Sequence, residues 1–342
     1  MTMETKLALF GGVVPGAITL GVLVLVWRVL ARAEEQHEPE REGVRAWIGP
    51  VWAGPVLVAV ALVLGDYTKH GWPTLWPDSN VYRYPHALGV FALAGLIEAF
   101  VRLPVWGAWC VRAVAFAGVF WMLAEGYHPG AVPTPWFVGL MGAGALGGAT
   151  VATMADRGAA LLPGWRAPAL VGVLFAGAGP IVHVGGLSYG MHAAAPMIAF
   201  GVAGAIAGLI APRLTLERGA MTAVVGVVYV LMIGAGVQTE ALSVASLVAL
   251  GLAPGAFGLA WFVRTRRPMA RVGIVAAGLI VLLGVSLGLA MIASGGSSEE
   301  EEYDPFARAS GAGTPRIAEL AVARLRGEDD GLDEHRGRAR RG

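Results

Sequence analysis

Charge is scarce in this chain of 342 residues: only 14% are Asp, Glu, Lys or Arg, where soluble domains carry about a quarter. With a mean hydropathy of +0.64, that shortage excludes an ordinary water-soluble enzyme. Cysteine is nearly absent. The single Cys110 rules out an intramolecular disulfide framework and any Cys-rich zinc or iron–sulfur site. Lysine is nearly absent too, Lys6 and Lys69 being the only two among 25 basic residues. An arginine bias of this kind points to a GC-rich, bacterial coding sequence. Nor is there an excess of either sign: 25 basic against 24 acidic residues leave a net charge of +1, which argues against a nucleic-acid partner. Walker, dinucleotide-binding, zinc-protease and kinase motifs are all missing, so no cofactor is assigned and an enzymatic role is not favoured.

What the chain does have is long apolar stretches. A helix crossing the hydrocarbon layer needs about 20 mostly apolar residues, and ten stretches qualify: about 7–27, 48–65, 86–101, 108–125, 134–154, 167–184, 191–211, 219–236, 241–263 and 272–293. The expectation is an all-α, polytopic transmembrane helix bundle over 1–293, followed by a flexible, mostly disordered soluble tail over 294–342. The first stretch is too long for a signal peptide and lacks a small-residue cleavage site, so it reads as a retained helix.

Arginine and lysine give the bundle an orientation. The odd-numbered connections hold Arg28, Arg32, Arg41, Arg45, Arg102, Arg112, Arg157, Arg166, Arg213, Arg218, Arg264, Arg266, Arg267 and Arg271, against Lys69 and Arg83 in the even ones. Fourteen against two places the odd connections in the cytoplasm and both termini outside, in the inner membrane of a bacterium. Glu98, four residues before Arg102, has the spacing of a helix-end ion pair.

Histidine gathers on the opposite side. His70, His86, His128, His183 and His192 fall at or near the outer ends of the stretches, together with Glu125 and Glu240. Ionisable groups bordering a span are costly and mark sites, so His183, His192, Glu125, His128 and Glu240 are expected to line an outward polar vestibule as a substrate or proton pathway. Pro180 joins them. Leu9-Phe10-Gly11-Gly12-Val13-Val14-Pro15 and Leu174-Phe175-Ala176-Gly177-Ala178-Gly179-Pro180 share a Leu-Phe-small-Gly-x-x-Pro pattern, and paired breaks in two halves are the mark of a secondary-transporter site. The alternative for the histidines is interfacial solvation, or a metal or haem site, although none has an i, i+4 partner.

Three further features read structurally. Gly144/Gly148, Gly204/Gly208 and Gly251/Gly255 suit close helix packing. Gly186-Leu187-Ser188-Tyr189-Gly190 is formally G-x-S-x-G but follows a helix rather than a strand. The Trp72 and Trp76 loop suits the membrane interface; it and the tail are the places where a protein partner, beyond the lipid bilayer itself, would dock. The expected function is a permease or secondary transporter for a small solute or ion, the alternatives being a non-catalytic subunit of a larger complex or a redox or metal-binding membrane protein.

Overall fold

The computed structural model describes residues 9–35, 53–70, 83–101, 103–124, 135–210, 215–216, 218–238, 242–263 and 268–295. The chain divides into two units, Met1–Ser297 and Ser298–Gly342; the second lies outside the described residues, as do Glu125, His128, Glu240 and the Trp72/Trp76 loop.

All regular structure among the described residues is helical. A π-helical turn (Leu9–Val13) leads into α1 (Val14–Glu35). There follow α2 (Ala53–His70), α3 (Tyr84–Phe100), α4 (Val105–Ala124), α5 (Pro135–Ala159), α6 (Arg166–Val184), α7 (Ser188–Ile210) and α8 (Ala220–Ile233), the last continued by a π-helical segment (Gly234–Gln238). The ninth rod, α9 (Val244–Leu252), runs on through a 3-10 segment (Ala253–Gly258) and a final turn (Leu259–Phe262), and α10 (Pro268–Gly295) closes the unit.

Six of these stretches are long and apolar enough to cross a membrane: Val105–Ala124, Phe137–Ala159, Arg166–Val184, Ala193–Ile210, Val244–Phe262 and Pro268–Ala293. That is the pattern of a multi-pass membrane protein. The apolar stretches within the other helices, Val14–Leu25, Ala53–Val63, Tyr84–Phe100 and Ala220–Gly236, are shorter among the described residues, so six of the expected ten crossings are met there on length and composition.

The short helix α8 is the centre of the bundle. Every residue from Ala220 to Leu231 is buried, as expected of a helix apolar on all sides, and α2, α3 and α5 pack around it. Glycine sets how close they come. A Cβ on Gly226 would strike the Phe91 ring, and one on Gly148 would lie 2.5 Å from Phe116. Phe91, Phe116 and Tyr229 then pack as a trio, with ring centroids 4.7 Å apart for Phe91–Phe116 and for Phe116–Tyr229.

Contacts at the helix ends sort the connections onto two sides. At one end Gly54 abuts Ala220, Gly95 abuts Gly219, Gly208 abuts Gly164, and Gly158 abuts Phe257. These are the ends that carry the odd-numbered connections. At the other, the Arg83 guanidinium donates to the Met122 carbonyl at 3.1 Å, Gly234 touches Tyr84 and Leu187, and Gly185 touches Leu242. Those ends carry the even-numbered connections.

Helix α6 is continuous through Gly177 and Pro180. The expected break is therefore absent in α6, whereas the matching segment before Pro15 is π-helical. The chain turns after Val184 instead. Gly186 N–H donates to His183 O at 2.9 Å and Leu187 N–H to Val182 O at 3.2 Å, Gly186 has φ +77°, and Leu187 is buried. This is a Schellman helix end. It sends α7 back against α6, the most extensive helix pair in the bundle.

Candidate functional site

The charged side chains that sit deepest in the bundle are at the odd-connection end. Glu98 lies in the last turn of α3, Arg112 in the second turn of α4, Asp156 and Thr153 near the end of α5, and Thr222 at the start of α8. Glu98 is 6% and Arg112 2% exposed. Arg112 Nε donates to Glu98 Oε1 at 2.8 Å and Nη2 to Glu98 Oε2 at 2.5 Å, a bidentate fork of the kind that guanidinium and carboxylate geometry favours. Two further contacts engage the arginine. Nη1 reaches Thr153 Oγ1 at 2.8 Å, and Nη2 lies 3.2 Å from Asp156 Oδ2. Thr222 Oγ1 lies 3.1 Å from both Glu98 oxygens and donates to them.

Backbone contact makes this cluster possible. Gly95 stands one turn before Glu98, and Gly219 one turn before Thr222. A Cβ on Gly95 would lie 2.5 Å from the Gly219 carbonyl oxygen, and one on Gly219 would overlap the Gly95 carbonyl. Gly219 also has φ +98°, a conformation open mainly to glycine. The two helices can therefore touch main chain to main chain, which brings the Thr222 hydroxyl within reach of the carboxylate.

The cluster forms the floor of a cavity of about 370 Å³ whose lining includes Val101, Leu103, Arg157 and Arg218. Deeper along the same helices comes the aromatic trio: Phe116 is one turn beyond Arg112, and Phe91 and Tyr229 are two turns from Glu98 and Thr222. Tyr229 is 5% exposed, and its hydroxyl has no hydrogen-bond partner among the described residues. Gly144 and Gly148 leave the room that Tyr229 and Phe116 fill.

No family model matches this chain. No curated protein and no solved structure matches it either.

Glu98 pairs with Arg112, while Arg102, its expected partner, lies outside the described residues. Arg112, read as a cation of the third connection, is inside α4, so one of the fourteen odd-side arginines is a bundle charge. The signal was there in Arg112 itself, a charge amid the apolar run that ends at Ala124, since ionisable groups within spans default to function.

Of the expected outer residues, the structure describes His183, Pro180 and the backbone of His192. His183 is exposed at the end of α6, and Pro180 is exposed on the same helix. Having no N–H, Pro180 leaves the Ala176 carbonyl without its helical donor. His192 follows in the first turns of α7, described in its backbone alone. Among the described residues no three His, Cys, Asp or Glu side chains gather as metal ligands. Ser188 begins a helix after a helix, so the strand-to-helix setting that a G-x-S-x-G nucleophile needs is missing there.

Proposed function

We propose that the chain is a permease of a bacterial inner membrane that moves a small solute or ion. In this reading all ten helices cross, the odd connections face the cytoplasm, and the cavity above Glu98 and Arg112 is the inner vestibule. The observation that carries it is the buried Glu98–Arg112–Asp156 cluster. Charges within a bilayer are costly and are kept where they serve a pathway, and these ones stand at the floor of a cavity. The cluster joins α3, α4, α5 and α8 in one ionic lock, and the Phe91–Phe116–Tyr229 trio behind it closes the path. Opening requires the four helices to part at both levels. The sorting of helix ends onto two sides supports ten crossings, with α8 kept short because protein surrounds it. On the outer side His183, His192, Glu125, His128 and Glu240 form the opposite mouth, with Pro180 beside them.

Purified protein in liposomes loaded with a pH-sensitive dye tests the proposal. Phe116→Ala removes the central ring of the trio, and vesicles carrying it are expected to dissipate an imposed proton, sodium or potassium gradient several-fold faster than vesicles carrying the unaltered chain. Vesicles of both kinds that hold all three gradients as long as protein-free ones would overturn the reading.

A further inference from the structure

The floor of the inner cavity is nearly neutralised by its own members, but its rim is not. Arg112 is engaged by both Glu98 oxygens, Thr153 and Asp156. Arg157 and Arg218 also line the cavity, both exposed, and neither has a hydrogen-bond acceptor or carboxylate partner among the described residues. Arg157 is braced instead by Trp261, its guanidinium 5.7 Å from the ring centroid. Among the described lining residues, three arginines against two carboxylates give an excess positive charge, carried by Arg157 and Arg218.

The backbone at Arg218 points the same way. Its φ is +54°, an uncommon conformation for a side-chain-bearing residue, and such outliers gather at ligand-binding sites. Arg218 stands beside Gly219, φ +98°, in the turn that enters α8. The setting is that of the membrane interface. Val101, Leu103, Val105 and Ala108 complete the lining, and Trp106 and Trp261 expose their rings nearby, at 73% and 61%; tryptophan favours the headgroup level.

We propose that this cavity binds a phosphate group, held between the guanidinium forks of Arg157 and Arg218 at the depth of the inner headgroups. Guanidinium pairs bidentately with phosphate oxygens, and 370 Å³ lies within the range of ligand pockets. A phospholipid diester reaching in from the inner leaflet and a free phosphate from the cytoplasm offer the same chemistry. The site stands apart from transport: a chain that carries nothing across the membrane still has it.

The test uses the full chain in detergent. Thermal unfolding is followed on titration with short-chain phosphatidylglycerol, inorganic phosphate and, as a control for acyl chains, short-chain diacylglycerol, which lacks the phosphodiester. The second protein is the Arg157→Gln/Arg218→Asn double variant, in which asparagine suits the left-handed backbone at 218. The unaltered chain is expected to gain stability with phosphatidylglycerol, at a half-saturating concentration at least tenfold below that for the variant, and the gain is expected to fall as salt screens it. Stabilisation by phosphatidylglycerol alone assigns the lipid as the source, and stabilisation by inorganic phosphate as well assigns a soluble phosphate. Equal curves for the two proteins, or no shift with either phosphate probe, overturn the proposal. Should the double variant fail to fold, Arg218→Asn alone, at an exposed turn, carries the comparison with an expected weakening of at least threefold.

Discussion

At the scale of single residues the molecule turns on Arg112. Its guanidinium meets Glu98, Asp156 and Thr153 while almost fully removed from solvent. Breaking a buried ion pair by removing one partner costs about 3–5 kcal/mol, while replacing the pair by apolar groups can be neutral. Arg112→Leu is therefore expected to lower the midpoint of thermal unfolding in detergent, and Glu98→Leu/Arg112→Leu to recover most of the loss. A double variant less stable than Arg112→Leu would show that the pair itself is the main support. Tyr229 makes the contrasting case. Its buried hydroxyl meets no partner among the described residues and crowds the place where a Gly144 Cβ would stand. Tyr229→Phe should leave stability unchanged or raise it by about 1 kcal/mol, since a buried unsatisfied hydroxyl is a cost. Gly144→Ala should destabilise alone and be tolerated in the Tyr229→Phe background, a coupling that a double-mutant cycle on unfolding midpoints reads directly.

At the scale of elements, helices were the legible part of the sequence and their junctions were not. Apolar runs located most rods to within about five residues, α1 running on to Glu35 past its expected end, because helices in a bilayer must satisfy their own backbone and carry apolar surface. The Gly185-Gly186 turn obeys a related rule: a left-handed residue at a helix end calls for glycine. The unbroken α6 was not legible. A proline in a pattern gives no sign of whether neighbouring helices hold the chain helical across it. The cluster was missed on similar grounds. The i, i+4 spacing to Arg102 is a local signal, whereas the Glu98–Arg112 contact depends on the turn between α3 and α4, and Thr222 joins only because Gly95 and Gly219 let distant helices touch. That contact gives an element-scale prediction. Gly219→Ala should destabilise by roughly 2–4 kcal/mol, combining overpacking with a left-handed backbone, and differential scanning of the purified protein would measure it. Gly273→Ala, where nothing lies near the added carbon, should be silent in the same experiment.

At the scale of the whole molecule, the division of helix ends matches the division of arginines. Connections one, three, five, seven and nine share the end that holds the ionic cluster, and the opposite end joins Tyr84, Leu187, Gly234 and Leu242 through apolar contacts. Single cysteines placed in a Cys110→Ser background at 103, 160 and 215 are expected to react with a membrane-impermeant thiol reagent from the cytoplasmic side only, and cysteines at 78 and 240 from outside only. Labelling of 160 and 240 from the same side would refute the alternation. The tight α3–α4 hairpin also bears on how the chain enters the bilayer during synthesis. Glu98 and Arg112 flank one short turn, so they can neutralise each other as soon as both helices have emerged, before Asp156 and Thr222 exist. The hairpin can then partition with its two intrahelical charges paired, and α4 should depend on its predecessor for insertion: presented alone to the translocation machinery it carries an unpaired cation, and with α3 ahead of it the cation arrives already paired.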